Sequence, residues 1–476
     1  MKKLDIKKSF RGKKFKYGSY STLVTALVLA ILLAINFVAG KINIKKDLTQ
    51  EKMYSLTDET YNILKDLKND TKIIAFFETG NENQTFVNLF DKYKAGSNKV
   101  SVEYKDPIKN PQITQKYSSE TAKVTTNSVV VESGSKFKVI DYYDFFNITT
   151  NEYGQQQAES FAAEQQITNA IVYVNSDKEN KLYTLAGHEE TALPDTVSKQ
   201  LGAENYTVKE VNLIQGGAEL GKEGTLLVVS PKRDLSKEES DKIKTFLTNG
   251  GNAVFLMDIT KEALPNFQDL LSFYGVKLQN ALAVEGEAQN IVQQPIDLLP
   301  NIETHDILNQ IKSNKLYIMM PVSQGISTLD VKRKTLKIEP LLTTSKNSWG
   351  KVDLNATTMV KEANDIEGPL NIAVAITDTD SANDKTTKLV VVGGTTFIND
   401  SIVSATRGAN LDFFMNSVNW MQGEKDSVSI RPKSLTSEML VMTVLQKLLL
   451  SGVVVIIIPL AILVIGVTVW LRRRHR

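Results

Sequence analysis

The sequence predicts an α/β protein in which two extracytoplasmic α/β domains lie between two transmembrane helices. Three observations support this fold class. Two long segments near the ends carry no charge, strand-length and helix-length apolar patterns alternate between them, and the 476 residues include no cysteine. Without disulfides the outer part depends on ordinary hydrophobic cores, and it is long enough to bury two of them.

The two uncharged segments have the length of membrane spans. Residues 17–40 and 448–471 both supply the roughly 20 apolar residues that a helix needs to cross a bilayer. Pro459 is expected to kink the second span. The first could instead be a cleaved signal peptide, but its apolar run exceeds the usual ~7–15 residues, which favours an uncleaved anchor.

Charge sets the expected orientation and partners. Both tails are rich in Lys and Arg, which predicts a two-pass cell-membrane protein with both termini cytoplasmic and the long middle region outside. The formal net charge is only +2, so the region between the basic tails is mildly acidic. Nucleic acid is therefore not an expected partner.

The first outer domain follows a linker helix that Ser55 or Thr57 is expected to cap. A strand at 71–79, a helix, a second strand and a hairpin around Gly134 predict a small α/β domain. This element order resembles a thioredoxin-like arrangement.

A predicted helix over Ala158–Ala170 leads into a larger domain. Strands and helices alternate from KLYTLAG onward, and Ser236 with Glu239 forms a capping box, which predicts a mostly parallel, doubly wound sheet. Residues 261–385 break the alternation and are expected to contain an insertion. The predicted organisation is a basic tail (1–16), a first span (17–40), a linker helix (41–70), the small domain (71–150), the larger domain (151–436), a second span with its lead-in (437–471) and a basic tail (472–476).

One string resembles a nucleotide-binding loop. Gly216, Gly221 and Lys222 have the spacing of a Walker A motif, but Glu223 stands where a hydroxyl should reach magnesium. The segment also joins two predicted strands, whereas a P-loop opens a helix. We therefore expect no ATP site.

The strongest candidate site is the turn Gly187-His188-Glu189-Glu190, directly after a predicted strand. Such loops line the ligand crevice of a doubly wound sheet, and histidine titrates near neutrality. However, HEETA lacks the second histidine of a zinc motif, and the sequence has no G-x-S-x-G elbow and no cysteine nucleophile. The turn is predicted to be structural or ligand-binding, with no catalytic residue, metal or cofactor.

Several segments together carry a family resemblance: DLTQEKMYSLTDET (47–60), GHEE (187–190), SPKRDLSKEESDKIKTFLTNGG (230–251), VVVGGTTFIND (390–400) and ANLDFFMNSVNWM (409–421). In this order between two spans, they resemble the GldG-like auxiliary components of ABC-type transporters, of the gliding-motility type. The resemblance implies an amidotransferase-like larger domain, although the amidotransferase cysteine is absent. Gly393-Gly394-Thr395 stands where relatives often show Gly-Asp-Ser.

The resemblance also implies partners: an ABC-type permease and a separate ATPase. We expect a bacterial, non-catalytic accessory subunit that docks on the permease and handles cargo, such as a glycan or peptide, or a cell-envelope component. The alternative is an ectoenzyme or carbohydrate-binding protein that acts on envelope glycans through His188 and Glu189.

Overall fold

The computed structural model describes residues 20, 23–33, 52, 55–119, 122–150, 155–176, 179–214, 220–221, 224–380, 385–423, 430–435, 442 and 444–474. Its contacts divide the chain into two units, Met1–Ser55 and Leu56–Arg476. In the first unit an apolar helix, α1, runs over Leu23–Leu33. The other residues of the predicted first span, apart from residue 20, lie outside the described residues.

The second unit begins with α2 (Asp58–Lys65), which the Thr57 hydroxyl caps, one of the two caps that the sequence predicts. A four-stranded sheet and its helices follow: β1 (Thr71–Phe76), α3 (Gln84–Gly96), β2 (Val100–Lys105), α4 (Pro111–Tyr117), β3 (Val129–Ser133) and β4 (Lys136–Ile140). The strand order is β2-β1-β3-β4, with β1 parallel to β2 and the other neighbours antiparallel. The predicted hairpin is confirmed at β3 and β4.

The next segment corrects one prediction. Residues expected to open a helix at Ala158 belong to a strand, and the helix begins only at Ala163. The strand pairs antiparallel with its predecessor, so its backbone hydrogen bonds come from a neighbour that local helical spacing does not reveal. The elements are β5 (Phe146–Thr150), β6 (Gln156–Phe161) and α5 (Ala163–Asn175).

Alternating strands and helices then build the larger sheet, as predicted. The first half contains β7 (Asn180–Leu185), α6 (Asp195–Ala203), β8 (Tyr206–Val211), β9 (Thr225–Val229), α7 (Lys237–Thr248), β10 (Asn252–Leu256) and α8 (Pro265–Phe273). The capping box that the sequence predicts for Ser236 and Glu239 is present at the start of α7.

The second half contains β11 (Val276–Val284), β12 (Asp297–Leu298), β13 (Asn301–Ile302), α9 (Asn309–Ser313), β14 (Met320–Pro321), β15 (Gln324–Thr328), β16 (Leu336–Thr343), β17 (Trp349–Lys351), β18 (Ile366–Glu367), β19 (Asn371–Asp380), β20 (Lys385–Val392), α10 (Asp400–Ala405), α11 (Ala409–Met421) and β21 (Lys433–Ser434). Much of the expected insertion, residues 261–385, extends the main sheet. Beyond β20 the sheet continues through antiparallel β19, which pairs with β15 and β16.

Five parallel strands form one end of this sheet, in the order β8-β7-β9-β10-β20. Helices cover both faces, so the predicted doubly wound, mixed α/β architecture is present. Val197 of α6 and Phe413 of α11 pack in one core cluster, and Ile243 of α7 and Leu270 of α8 pack in the other.

The C-terminal part holds a long apolar helix. It consists of α12 (Val444–Gly452), a π-helical turn (Val453–Ile457) and α13 (Ile458–Arg474). Its segment Leu445–Thr468 spans 24 residues, has a mean hydropathy of 3.2 over its 18-residue apolar window, and is long and apolar enough to cross a membrane. The π-helical turn ends two residues before Pro459, whose missing N–H disturbs the regular helix. Among the described residues α1 is shorter, so the structure supplies one candidate span.

Candidate functional site

The candidate site lies at the carboxyl ends of the parallel strands. In the order β8-β7-β9-β10-β20, the chain moves outward in one direction from β7 to β8 and in the other from β9 to β10. The gap between β7 and β9 is thus the topological switch point, where open α/β sheets bind ligands. A cavity of about 500 Å³ lies here, and its lining includes Gly187, His188, Leu213, Ile214, Arg233 and Glu239.

A sharp backbone turn delivers His188 to this cavity. Gly187 has φ +114°, and a Cβ there would come within 3.1 Å of Asn212 Nδ2. Glu189 is left-handed at φ +58°. The His188 carbonyl accepts the backbone N–H groups of Lys232 and Arg233, at 2.8 and 3.0 Å. The turn after β7 is therefore joined to the loop after β9.

The His188 ring is buried between two carboxylates. Nδ1 lies 3.1 Å from Glu190 Oε1, and Nε2 lies 3.3 Å from both carboxylate oxygens of Glu239. The His188 N–H also donates to Glu190 Oε2 at 2.9 Å. Phe267 packs edge-on against the ring, and His188 is only 2% exposed. Glu239 meanwhile accepts the Ser236 N–H at 2.9 Å, so one carboxylate caps α7 and faces the histidine.

The charges of the three groups stabilise one another. The hydrogen bond with Glu190 raises the pKa of His188 above its ordinary value, with help from Glu239 and against the effect of burial. Burial alone would raise the pKa of Glu190, but hydrogen bonds from the His188 ring and N–H hold it below its ordinary value. Burial likewise opposes the lowered pKa of Glu239, which the Ser236 hydrogen bonds and His188 bring about.

This arrangement favours an imidazolium that donates from both ring nitrogens. Only the protonated ring is a donor at both positions, and each nitrogen here faces a carboxylate. A general base needs a free lone pair directed at the substrate proton. His188 presents none in this geometry, so the turn is suited to holding loops in place and shaping the cavity.

One further carboxylate contact lies beside the turn. Glu189 Oε1 pairs with Arg233 Nη2 at 2.5 Å on the exposed side of the loop. Among the residues that the structure describes, no group of His, Cys, Asp and Glu side chains could hold a metal ion. The decisive residues of the predicted Walker-like string, Lys222 and Glu223, lie outside the described residues.

A second polar cluster, also at the carboxyl ends of the parallel strands, centres on Asp258, after β10. Its carboxylate accepts the Thr395 N–H at 2.7 Å and the Thr395 hydroxyl at 2.9 Å. The hydroxyl of Ser230, after β9, donates to Asp258 at 2.6 Å, and Lys232 Nζ lies 3.4 Å from it. Asp258 therefore joins the loops that follow β9, β10 and β20.

Sequence reasoning located the turn and missed its partners. It identified Glu239 as a helix cap, which the structure confirms, but not its contact with His188 across 51 positions. It did not single out Asp258, although this residue follows an apolar strand just as His188 follows β7. Polar residues follow several of the parallel strands, and this pattern could have indicated that His188 and Asp258 lie at the same end of the sheet.

Comparison with known proteins bears on this architecture. The family model described as ABC-type uncharacterized transport system matches residues 179–417, half of the chain. The chain belongs to this family. The match covers all five parallel strands and the cavity at the switch point. As a member of this family, the protein has an accessory role in an ABC-type transport system. Its long apolar helix indicates membrane association.

The N-terminal part of this family member matches a second model, a domain of unknown function, over residues 50–185. No curated protein matches the chain. A solved structure, the mmIFT52 N-terminal domain, is similar at 14% identity and a TM-score of 0.37, covering 52% of this chain and 98% of that one. The family assignment does not depend on that structure.

Proposed function

We propose that this chain is a non-catalytic, membrane-anchored accessory subunit that docks on the permease of an ABC-type transport system with a separate ATPase. Its extracytoplasmic part handles cargo or a component of the cell envelope, and both termini are cytoplasmic. The observation that carries the proposal is the His188 turn. It lies at the ligand-binding position of the sheet, yet both ring nitrogens face carboxylates.

The membrane part supports the docking role. The apolar window of Leu445–Thr468 is not buried against the rest of the described chain, so its surface is available to lipid or to other membrane helices. We infer a second anchor over residues 17–40, to which α1 contributes Leu23–Leu33. Two anchors are too few for a transport channel, which is why the permease would be a separate protein.

The strand orders support the finer domain assignment. The order β2-β1-β3-β4, with one parallel pair, suits a thioredoxin-like domain over residues 71–150. The five parallel strands suit an amidotransferase-like domain over residues 151–436. The linker 41–70 and the lead-in 437–443 would connect these domains to the two spans.

One observation favours the alternative, a carbohydrate-binding protein or ectoenzyme acting on envelope glycans. The cavity of about 500 Å³ is large enough for a small ligand, and an apolar wall of Leu213 and Ile214 faces charged side chains in it. Binding of a ligand there is compatible with cargo handling, whereas turnover would contradict the non-catalytic role.

Co-purification tests the proposal. The full chain carrying an affinity tag should retain a permease and an ATPase from detergent-solubilised native membranes. A matched variant, in which residues 444–471 are replaced by an unrelated apolar span, should stay in the membrane and retain less of both. Recovery of neither protein with the unaltered chain, after mild cross-linking, would contradict the proposal.

A further inference from the structure

Two segments that lead toward the proposed membrane spans meet at one buried carboxylate. The first, Leu56–Lys65, enters the second unit from the N-terminal side. The second, residues 430–435, leaves the α/β fold ahead of α12. Both contact the first turn of α5, where Glu164 is 3% exposed.

The entering segment uses one oxygen of this carboxylate. Glu164 Oε1 accepts the Thr57 N–H at 2.5 Å and the Thr60 hydroxyl at 2.8 Å. Thr60 is fully buried and also lies 3.2 Å from the Thr168 hydroxyl, one turn further along α5. Thr57 is the N-cap of α2, so Glu164 holds the start of that helix.

The leaving segment uses the other oxygen. Lys433 Nζ lies 2.8 Å from Glu164 Oε2, and both side chains are almost completely buried. Apart from this ion pair, no described residue hydrogen-bonds to Oε2. Around it, Gln165 Nε2 donates to the Ile430 carbonyl at 2.6 Å, and Lys433 and Ser434 pair with β6 as strand β21.

The two oxygens cannot respond independently. If Lys433 moves away, Oε2 keeps its share of a negative charge in a buried place where no other described residue compensates it. The carboxylate must then rotate toward water to be solvated. This rotation weakens the acceptor Oε1 that holds Thr57 and Thr60.

We propose that Glu164 couples the two membrane-leading segments, so that withdrawing residues 430–435 loosens the start of α2. Movement of a membrane helix relative to the α/β fold would thereby reach the other segment through one side chain. The inference concerns the chain alone and holds whether or not a permease is its partner.

Hydrogen–deuterium exchange of the full chain in nanodiscs tests the coupling. In Lys433→Met, peptides covering 430–435 and peptides covering 56–62 should both exchange at least tenfold faster, while peptides from β9 and β10 keep their protection. Lys361→Met removes an exposed ion pair with Glu367 by the same substitution and should change neither segment. Faster exchange confined to 430–435 would show that Glu164 is a local anchor only.

A double variant tests whether exchange at 56–62 rises because the charge of Glu164 is uncompensated or because the fold is loosened generally. Glu164→Gln combined with Lys433→Met leaves no buried charge, and the amide oxygen can still accept from Thr57 and Thr60. Exchange at 56–62 should return toward the wild-type rate while 430–435 stays fast. A double variant no slower than Lys433→Met at 56–62 would overturn the proposal. Should Lys433→Met lose protection in β9 and β10, Lys433→Gln provides the same comparison with a smaller loss of polarity.

Discussion

The ring nitrogen Nδ1 of His188 lies 3.1 Å from Glu190 Oε1, and the two residues belong to the same turn. Since the His188 N–H also donates to Glu190, the pair closes a small ring of hydrogen bonds before any other loop is involved. Glu239 then approaches the opposite nitrogen. The turn is thus organised locally and completed by tertiary contact, and only a protonated histidine can donate in both ring contacts at once.

The stability that His188 contributes should depend on pH. Its pKa is raised above the ordinary 6.5, so the contribution is fully present below that pH and is lost as pH rises through the folded-state value. We expect the loss of melting temperature in His188→Gln to be large at pH 6, reflecting about 1–3 kcal/mol, and to shrink toward pH 9. Thermal melting of the full chain in detergent measures it.

His305→Gln is the matched control, for which we expect the opposite dependence of stability on pH. Burial lowers the pKa of His305, so the folded state disfavours its charged form, and the wild type loses stability as pH falls through 6.5. The difference between wild type and His305→Gln should therefore diminish on acidification. The same pH trend in both variants would contradict the assignment of His188 as an imidazolium.

The turn should also be sensitive to an added methyl group. Gly187→Ala places a side chain at φ +114° and brings Cβ within 3.1 Å of Asn212, so we expect a loss of about 1–3 kcal/mol. Gly202→Ala, in α6, meets no atom within 4 Å and should stabilise by about 0.5–1 kcal/mol. Melting temperatures that move equally in both variants would show that the turn carries no strain.

Removing the Asp258 carboxylate should destabilise the loops that follow β9, β10 and β20. Asp258→Ala strands the Thr395 N–H and the Ser230 hydroxyl, and we expect a cost of about 2–4 kcal/mol because several buried donors lose one acceptor. Asp241→Ala breaks an exposed helical ion pair with Lys237 and should cost less than about 0.5 kcal/mol. Similar melting temperatures for the two variants would contradict the role given to Asp258.

Nucleotide binding should be absent from this chain. Glu223 replaces the magnesium-binding hydroxyl of the Walker-like string, so purified protein should neither bind nor hydrolyse ATP appreciably. Isothermal titration with Mg-ATP checks this. Saturable micromolar binding that Lys222→Ala abolishes would contradict it.

The sequence was most informative where local chemistry determines structure. The Ser236–Glu239 capping box, the Thr57 cap and the alternation from β7 to β10 follow from short-range patterns, and the structure has them. The strand β6 depends on its pairing with β5, which local helical spacing did not reveal. Residues 261–385 were expected to contain several short strands, but the pairing of β16 with β19 could not be read from local spacing.

The same distinction applies to the candidate site. A turn after an apolar strand is visible in the residues Gly187 to Glu190. The approach of Glu239 is not, because only folding brings α7 beside the end of β7. The sequence therefore predicted a structural or ligand-binding turn without its second carboxylate, and that carboxylate also favours a non-catalytic histidine.

The most direct test of that role compares two substitutions of His188 in one functional assay. His188→Gln keeps a polar side chain without the titratable ring, and His188→Ala removes both. In complementation of a deletion strain, with melting temperatures measured on the same proteins at the pH of the assay, Gln should retain more of the transport-linked function than Ala, and in both variants function should fall in parallel with stability. Loss of function in His188→Gln at an unchanged melting temperature would contradict the non-catalytic turn and point to chemistry at the histidine.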